Sequence, residues 1–404
     1  MVKDDPGSGF ILLSIKIPAF AGMTRDWRND EGFAMTGGRA TGSGYLFGKN
    51  YLCRLGKEFS PPVHSKMPEV LIYLIILISL FFLELVYFRI AFQYKIIDKP
   101  NDRSSHKKIT IRGGGVIFSI AALLWFFYSG FSYPYFLSGL LLIAFISFLD
   151  DLHTLKSGLR SLVHIVAVSL LLYQLRLDLA WYWLPMILIL IVGTINAYNF
   201  MDGINGITGG YSLILLGSLF YINRYVEAFT SESLLIFSIL SLLVFNFFNF
   251  RRKAKCFAGD VGSVTIAFII CFLLIQLIVQ TQNVLFVGFL LIYGLDAVTT
   301  IGFRLIRKEN IFEAHRTHFY QYLANERKWL HLWVSGMYAA LQLIVNGLVI
   351  VGYKYIGGFE RSLVVLVGVG CVVGVGFVLL RVVAEGKERL FGRGSEGSGL
   401  ERVG

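Results

Sequence analysis

Leu184-Pro-Met-Ile-Leu-Ile-Leu-Ile-Val-Gly-Thr-Ile-Asn-Ala-Tyr-Asn-Phe-Met-Asp-Gly-Ile-Asn-Gly206 opens as unbroken hydrocarbon and closes in a dense polar cluster. The apolar part belongs to a run over 181–198, long enough for a membrane-spanning helix, which needs about 20 such residues. Similar runs recur almost throughout from Met67 to about Val383. Of the 404 residues 55% are hydrophobic and only 16% charged, with a mean hydropathy of +0.66. Soluble domains carry roughly 25% charged residues, so the composition excludes one. The expected fold is all-α: a polytopic integral membrane protein of about eleven transmembrane helices. They are placed near 68–91, 114–132, 135–150, 159–176, 181–198, 206–222, 232–249, 262–280, 283–303, 330–353 and 361–383. Connections are short except at 92–113 and 304–329, and long polar loops in a compact fold are candidates for function.

Three regions are expected: an N-terminal extension over 1–66, a multi-spanning domain over 67–383 and a tail over 384–404. The extension is Gly-rich and has no spanning run, and Lys16 to Thr24 resembles translated repeat elements. Met67, just ahead of the first span, is therefore the expected start, with 1–66 disordered or outside the true reading frame. Cys53, Cys256, Cys271 and Cys371 show neither CxxC nor Cys/His spacing and read as unpaired thiols.

Loops at 95–112, 156–160, 251–255 and 304–328, together with the tail, hold most of the Lys and Arg after Met67. The alternate loops have Arg176, Arg224, Lys354 and Arg361. The positive-inside rule puts the first set in the cytoplasm. The net charge of +11 then reads as topological and phosphate-facing, with no nucleic-acid role.

All the acidic clusters fall on that same face. Asp150 and Asp151 close the third run, where the helix dipole disfavours acids and adjacent like charges repel, so a cation or nearby Arg and Lys should compensate. Asn199, Asp202 and Asn205 are spaced by three and would share a face on a helical continuation. Asp260, in Phe257-Ala-Gly-Asp-Val-Gly-Ser263, stands at the start of a span, with Arg251, Arg252, Lys253 and Lys255 upstream as a basic approach. Hard oxygen ligands beside cations suit a metal-bridged phosphate. His315, Arg316 and His318, in the loop that also holds Arg304, Arg307 and Lys308, read as phosphate or nucleotide contacts. Too few Cys and His accompany them for a zinc site. The loop from Asp98 to Gly115 offers a further phosphate clamp in Arg103, His106 and Arg112. Within the spans, Glu84 is expected to pair with Arg89, and Asp296 to be a hydrogen-bond hub or a support to the site.

Asp150-Asp151, Asn196 to Gly206, Phe257 to Ser263 and His315 to Gln321 resemble, in that order, the motifs of the polyprenyl-phosphate N-acetylaminosugar-1-phosphate transferases (glycosyltransferase family 4). The resemblance covers about Pro68 to Val383. Tyr198-Asn-Phe-Met-Asp-Gly-Ile and His315-Arg-Thr-His-Phe-Tyr-Gln321 look closest to O-antigen-initiating members. Asn205 stands where many relatives have a second Asp, and Ile109 and Ile111 where they have prolines. The resemblance implies a bacterial inner-membrane enzyme with a cytoplasmic active site, moving a sugar 1-phosphate from a UDP-N-acetylamino sugar to polyprenyl phosphate. It implies Mg²⁺, with Mn²⁺ as a substitute. Asp150, Asp151, Asp202 and Asp260 would be catalytic, and Asp260, Asp151 and Asn199 would hold the metal. Asn199, Arg103, His106, Arg112, Lys255, His315, Arg316 and His318 would hold the substrates. A homodimer is left open. The alternatives are a phospho-N-acetylmuramoyl-pentapeptide transferase and, from another class, an anionic-solute transporter. Transporters place binding residues near the bilayer midplane on broken helices, often in inverted repeats, and no repeat is visible here.

Overall fold

The computed structural model describes residues 68–98, 110–310 and 316–391. The expectations for the N-terminal extension, Arg103, His106, Ile109, His315 and the tail past residue 391 lie outside the described residues. The described chain is almost wholly helical. Helices α1 (Glu69–Gln93), α2 (Val116–Tyr128), α3 (Pro134–Leu152), α4 (Ser157–Leu175) and α5 (Trp183–Met201) come first. Next are α6 (Ile207–Tyr225), α7 (Glu232–Asn249) and α8 (Gly259–Thr281). A 3-10 stretch (Val284–Leu290) leads into α9 (Leu291–Ile306), followed by α10 (His331–Tyr355), α11 (Phe359–Glu385) and the short α12 (Lys387–Phe391). The strands β1 (Ile97–Asp98) and β2 (Thr110–Ile111) form a two-residue antiparallel ribbon.

Among the described residues, nine helical segments are long and apolar enough to cross a bilayer, so this is a multi-pass membrane protein. Two of the expected spans fall short. Helix α2 has 13 residues and, at about 1.5 Å per residue, reaches two-thirds of a hydrocarbon core. Helix α6 has the length but turns Thr208, Ser212, Ser218 and Asn223 into the protein interior, which lowers its apolarity. The expected helix at 283–303 is also broken, its first two turns being 3-10. Gln342 of α10 relieves that break by accepting from Ile292 N at 3.1 Å and donating to Gly288 O at 3.0 Å. Buried backbone groups need such partners where no water reaches.

Helix α8 is the central post, with 89% of its apolar stretch buried, against 17% for α1 and none for α11. It is apolar on every side, as a fully surrounded helix must be. Lipid tails are as apolar as leucine, so packing between these helices rests on close contact and small residues. A Cβ on Gly115 would stand 2.1 Å from the Gly262 Cα, so α2 and α8 touch backbone to backbone. Phe136 of α3 stacks on Phe272 of α8 with ring centres 4.1 Å apart. The expected Glu84–Arg89 pair does not form. Five positions along a helix turn side chains about 140° apart, and Glu84 is buried beside Cys256 while Arg89 is exposed.

Candidate functional site

Helix ends converge at one end of this bundle. Helices α3 and α5 bring their C-termini there, α8 its N-terminus, and the β1–β2 ribbon supplies Asp98 and, just past its second strand, Arg112. Asp151 is the keystone. Its Oδ1 accepts from Asp260 N at 2.9 Å and from Arg112 Nε at 2.7 Å, and its Oδ2 accepts from Val261 N at 3.0 Å. A carboxylate from α3 thus caps the electropositive start of α8. Asp150 is held separately, by Leu155 N at 2.7 Å and Arg160 Nη1 at 2.6 Å. The compensation expected for this acidic pair therefore comes from two arginines and a helix dipole. A metal role for Asp151 does not fit this geometry, because both its oxygens are engaged and its side chain is wholly buried.

Gly259 makes the junction possible. Its φ is +71°, and a Cβ there would lie 2.5 Å from Asp151 Oδ2. Gly259→Ala should combine left-handed strain with displacement of the capping carboxylate, lowering stability by about 2 kcal/mol or more. The thermal midpoint of detergent-solubilised protein measures this; an unchanged midpoint would speak against the cap.

Asp260, in the first turn of α8, lies 3.5 Å from both Arg112 Nη2 and Arg160 Nη1. It borders a cavity of about 330 Å³ shared with Asp98, Arg112, Asn199, Asp202, Gln321, Arg316 and His331. Asn199 Oδ1 accepts from Ser263 Oγ at 3.1 Å, tying α5 to α8. Burial, and after it the negative charge of Asp151, push the Asp202 carboxyl up to about 6, the nearby Thr208 hydroxyl working the other way. Burial works against the Arg112 charge, but Asp151 and Asp260 outweigh it and hold the guanidinium above its ordinary value.

Of the residues expected from sequence, Arg112, Asn199, Asp202, Asp260 and Arg316 meet at this cavity. Several others do not. Lys255 is exposed, and none of the basic run from Arg251 to Lys255 borders the cavity. Arg251 lies over the Phe247 ring instead, 4.4 Å from its centre. His318 is buried behind the cavity wall, with Nδ1 3.3 Å from Asp296 Oδ1. Arg304 and Arg307 both pair with Glu309, so neither stands open to a polyanion. Asn199, Asp202 and Asn205 do not share a helical face, because α5 ends at Met201 and Asp202 caps it. Asn205 borders the cavity, yet its side-chain amide donates to Arg251 O at 2.9 Å and its main-chain carbonyl accepts from Ser335 Oγ. Its neighbour Asn249, missed in the sequence, accepts from Gly206 N and donates to Cys256 O. The signal for it was its place where an apolar run ends. His331 and Gln321, also on the cavity wall, had no comparable mark as cavity residues.

The donors facing the cavity at Asp98, Asn199, Asp202 and Asp260 are all oxygens, which suits Mg²⁺ or Mn²⁺ and not a thiolate- or imidazole-seeking metal. Among the described residues no three acidic or His/Cys side chains form a ready cage. Mg²⁺ usually keeps several waters and takes one or two carboxylates plus substrate phosphates, so this donor set fits.

The chain is a multi-pass helical protein with an acid- and arginine-lined cavity at one end, and comparison with known proteins adds a family likeness. Residues 133–278 match the model of the family described as Glycosyl transferase family 4, a stretch holding Asp150, Asp151, Asn199, Asp202 and Asp260. Over that stretch, well under half of its length, the chain is similar to that family. It is 27% identical over 280 residues to a probable undecaprenyl-phosphate N-acetylglucosaminyl 1-phosphate transferase of Bacillus subtilis, covering 63% of this chain and 76% of the relative. It is 29% identical over 231 residues to the undecaprenyl-phosphate alpha-N-acetylglucosaminyl 1-phosphate transferase of Yersinia pestis, covering 52% and 62%. It is also 26% identical over 193 residues to a phospho-N-acetylmuramoyl-pentapeptide-transferase of Halalkalibacterium halodurans, covering 46% and 58%. The chain thus spans under two-thirds of the latter two relatives.

Proposed function

We propose that the protein transfers a sugar 1-phosphate from a UDP-N-acetylamino sugar to polyprenyl phosphate, undecaprenyl phosphate in particular, at the cytoplasmic face of a bacterial inner membrane. One observation carries the reading: Arg112, Asn199, Asp202, Asp260 and Arg316, far apart in sequence, border one cavity. An oxygen of the lipid phosphate bonds to the β-phosphorus of the donor. The bond from that phosphorus to the bridging oxygen breaks, and UMP leaves with the electron pair. A phosphate monoester with a second pKa near 6 is already mostly a dianion at neutral pH, so no strong base is required. The main difficulty is bringing two anions together, a repulsion of about 4 kcal/mol at an effective dielectric near 20.

This chain's residues answer that difficulty by position and charge, as phosphoryl transfer generally requires. Arg112 and Arg316 face the cavity and supply fixed positive charge for the donor phosphates. Asp260 and Asp202, with Asn199, would hold a Mg²⁺ ion, whose contribution when bound is to neutralise phosphate charge. Asp151 orients Arg112 and the first turn of α8, which sets the aim of Asp260.

The acidity of Asp202 gives a pH test. A carboxyl raised to about 6 loses its charge as pH falls through that value, and protons then compete with the cation. The Mg²⁺ concentration for half-maximal rate should rise several-fold between about pH 7 and pH 5.5, and Asp202→Asn should lessen that rise, leaving the part due to the lipid phosphate, whose second pKa is also near 6. A Mg²⁺ requirement independent of pH in the unaltered protein would remove Asp202 from the cation site.

Purified protein with Mg²⁺, undecaprenyl phosphate and a panel of UDP-sugars tests the function directly. UMP release coupled to a lipid-linked product from UDP-N-acetylglucosamine or a 6-deoxy-N-acetylhexosamine donor supports a role in initiating O-antigen or another envelope polysaccharide. Turnover confined to the UDP-muramoyl pentapeptide would select the peptidoglycan reading, which relatives of that name keep in view. Counterflow of labelled solute in liposomes without UMP release would select transport.

A further inference from the structure

Helix α11 is the most peripheral of the spans, with none of its apolar stretch buried. Yet Arg381, near its C-terminal end, is 1% exposed. It donates to Thr299 Oγ1 at 3.0 Å and Thr300 Oγ1 at 2.8 Å on α9, and to Glu385 Oε1 at 2.6 Å. It also donates to the Thr317 carbonyl at 2.9 Å, the residue next to Arg316. Its guanidinium sits between the rings of Phe303 and Phe319, 5.2 and 5.8 Å from their centres.

The same segment is gripped from the other side by Asp296 of α9. Asp296 Oδ1 accepts from Phe319 N at 2.8 Å, and Oδ2 accepts from Tyr320 N at 3.1 Å and Tyr338 Oη at 2.6 Å. Arg381 Nη1 is 4.0 Å from Asp296 Oδ1 and balances that charge. Tyr320 Oη then donates to Phe200 O at 2.8 Å, two residues before Asp202. The α11 terminus is fastened to the following turn, where Tyr322 Oη and Arg327 Nη2 both donate to Ala384 O. An arginine–carboxylate pair buried this deeply is a costly anchor, and apolar residues of similar volume often hold two helices together as well or better. What the guanidinium adds is direction: its planar fork fixes one backbone carbonyl relative to two threonines.

We propose that Arg381 is a positioning residue for donor binding, holding residues 316–321 so that Arg316 and Gln321 face the cavity opposite Asp202. The outermost span thereby takes part in nucleotide-sugar recognition without touching the ligand. This rests on the transferase reading above. A displacement of about 1 Å in such a segment is enough to cost an order of magnitude or more in productive binding.

Arg381→Met and Arg381→Lys in the full chain, assayed with UDP-N-acetylglucosamine or whichever donor the panel selects, test it. Arg381→Met should raise the donor KM about tenfold and leave the undecaprenyl phosphate KM within about twofold. Arg381→Lys, which keeps the charge but not the fork, should fall between. Backbone amide exchange in substrate-free protein should quicken over 316–323 in Arg381→Met, with α8 unaffected. A donor KM unchanged despite faster exchange, or an equal rise in both KM values, would overturn the proposal and leave Arg381 as ordinary packing. Should the unaltered protein release no UMP from any donor, the transferase reading has failed by itself. The exchange measurement still decides whether Arg381 orders the segment, and unchanged exchange overturns that too.

Discussion

Asp260→Asn should lower UMP release by about a hundred- to a thousandfold, the range expected when a key electrostatic group of an active site is removed, while the protein stays folded in the membrane. The side chain borders the cavity and makes no contact with either arginine closer than 3.5 Å. Asparagine keeps its shape and surrenders its charge, so little packing is lost. What is lost is a hard anionic ligand. With it goes the negative charge that offsets the mutual repulsion of Arg112 and Arg160 when no substrate phosphate is present. Binding of Mn²⁺ to the substrate-free protein, followed by electron paramagnetic resonance, should weaken in parallel with turnover. Substantial Mg²⁺-dependent activity in Asp260→Asn would sink the assignment.

Asp151→Asn should act differently, through stability as much as rate. The carboxylate accepts from two backbone N–H groups and one guanidinium. An asparagine has one carbonyl oxygen for those three donors and turns an NH₂ toward at least one of them. Breaking a fully buried ion pair by removing one partner costs about 3–5 kcal/mol. Arg112 is 38% exposed, so solvent screens part of that, and about 2–3 kcal/mol is the expected loss. Thermal unfolding in detergent should show it. Asp150→Asn should cost less, because it leaves the cap on α8 in place. Equal midpoints for the two variants would mean that Asp151 does not hold the start of α8.

The sequence was legible where physics is local. Apolar length located the helices, because no other backbone structure satisfies its own hydrogen bonds in a single segment within lipid. The expense of a carboxylate beside hydrocarbon marked Asp150, Asp151, Asp202 and Asp260 as belonging to one end of the bundle. What stayed hidden was direction. Asp151 and Asp260 look alike as acids at helix termini, yet one caps a neighbouring helix and the other borders the cavity, and only the approach of α3 to α8 decides which. The basic run from Arg251 to Lys255 looked like a phosphate approach, but the turn after α7 points it away. His318 and Arg316 are two residues apart in a loop and face different sides of it. Arg381, at the end of the last apolar run, carried no mark in the sequence beyond its charge. Its place beneath the cavity wall depends on the α9–α11 contact, which no spacing reveals.

Helices α5 and α8, the ribbon and the segment after α9 line one cavity, which we propose closes around a divalent cation. Anomalous diffraction from crystals grown with Mn²⁺ and UDP-N-acetylglucosamine measures this most directly. A single manganese peak is expected within bonding distance of Asp260, bordered by Asn199 or Asp202, with the diphosphate reaching it from the side of Arg112 and Arg316. A manganese peak remote from Asp260, or Asp202 and Asp260 on separate faces of the bundle, would contradict it.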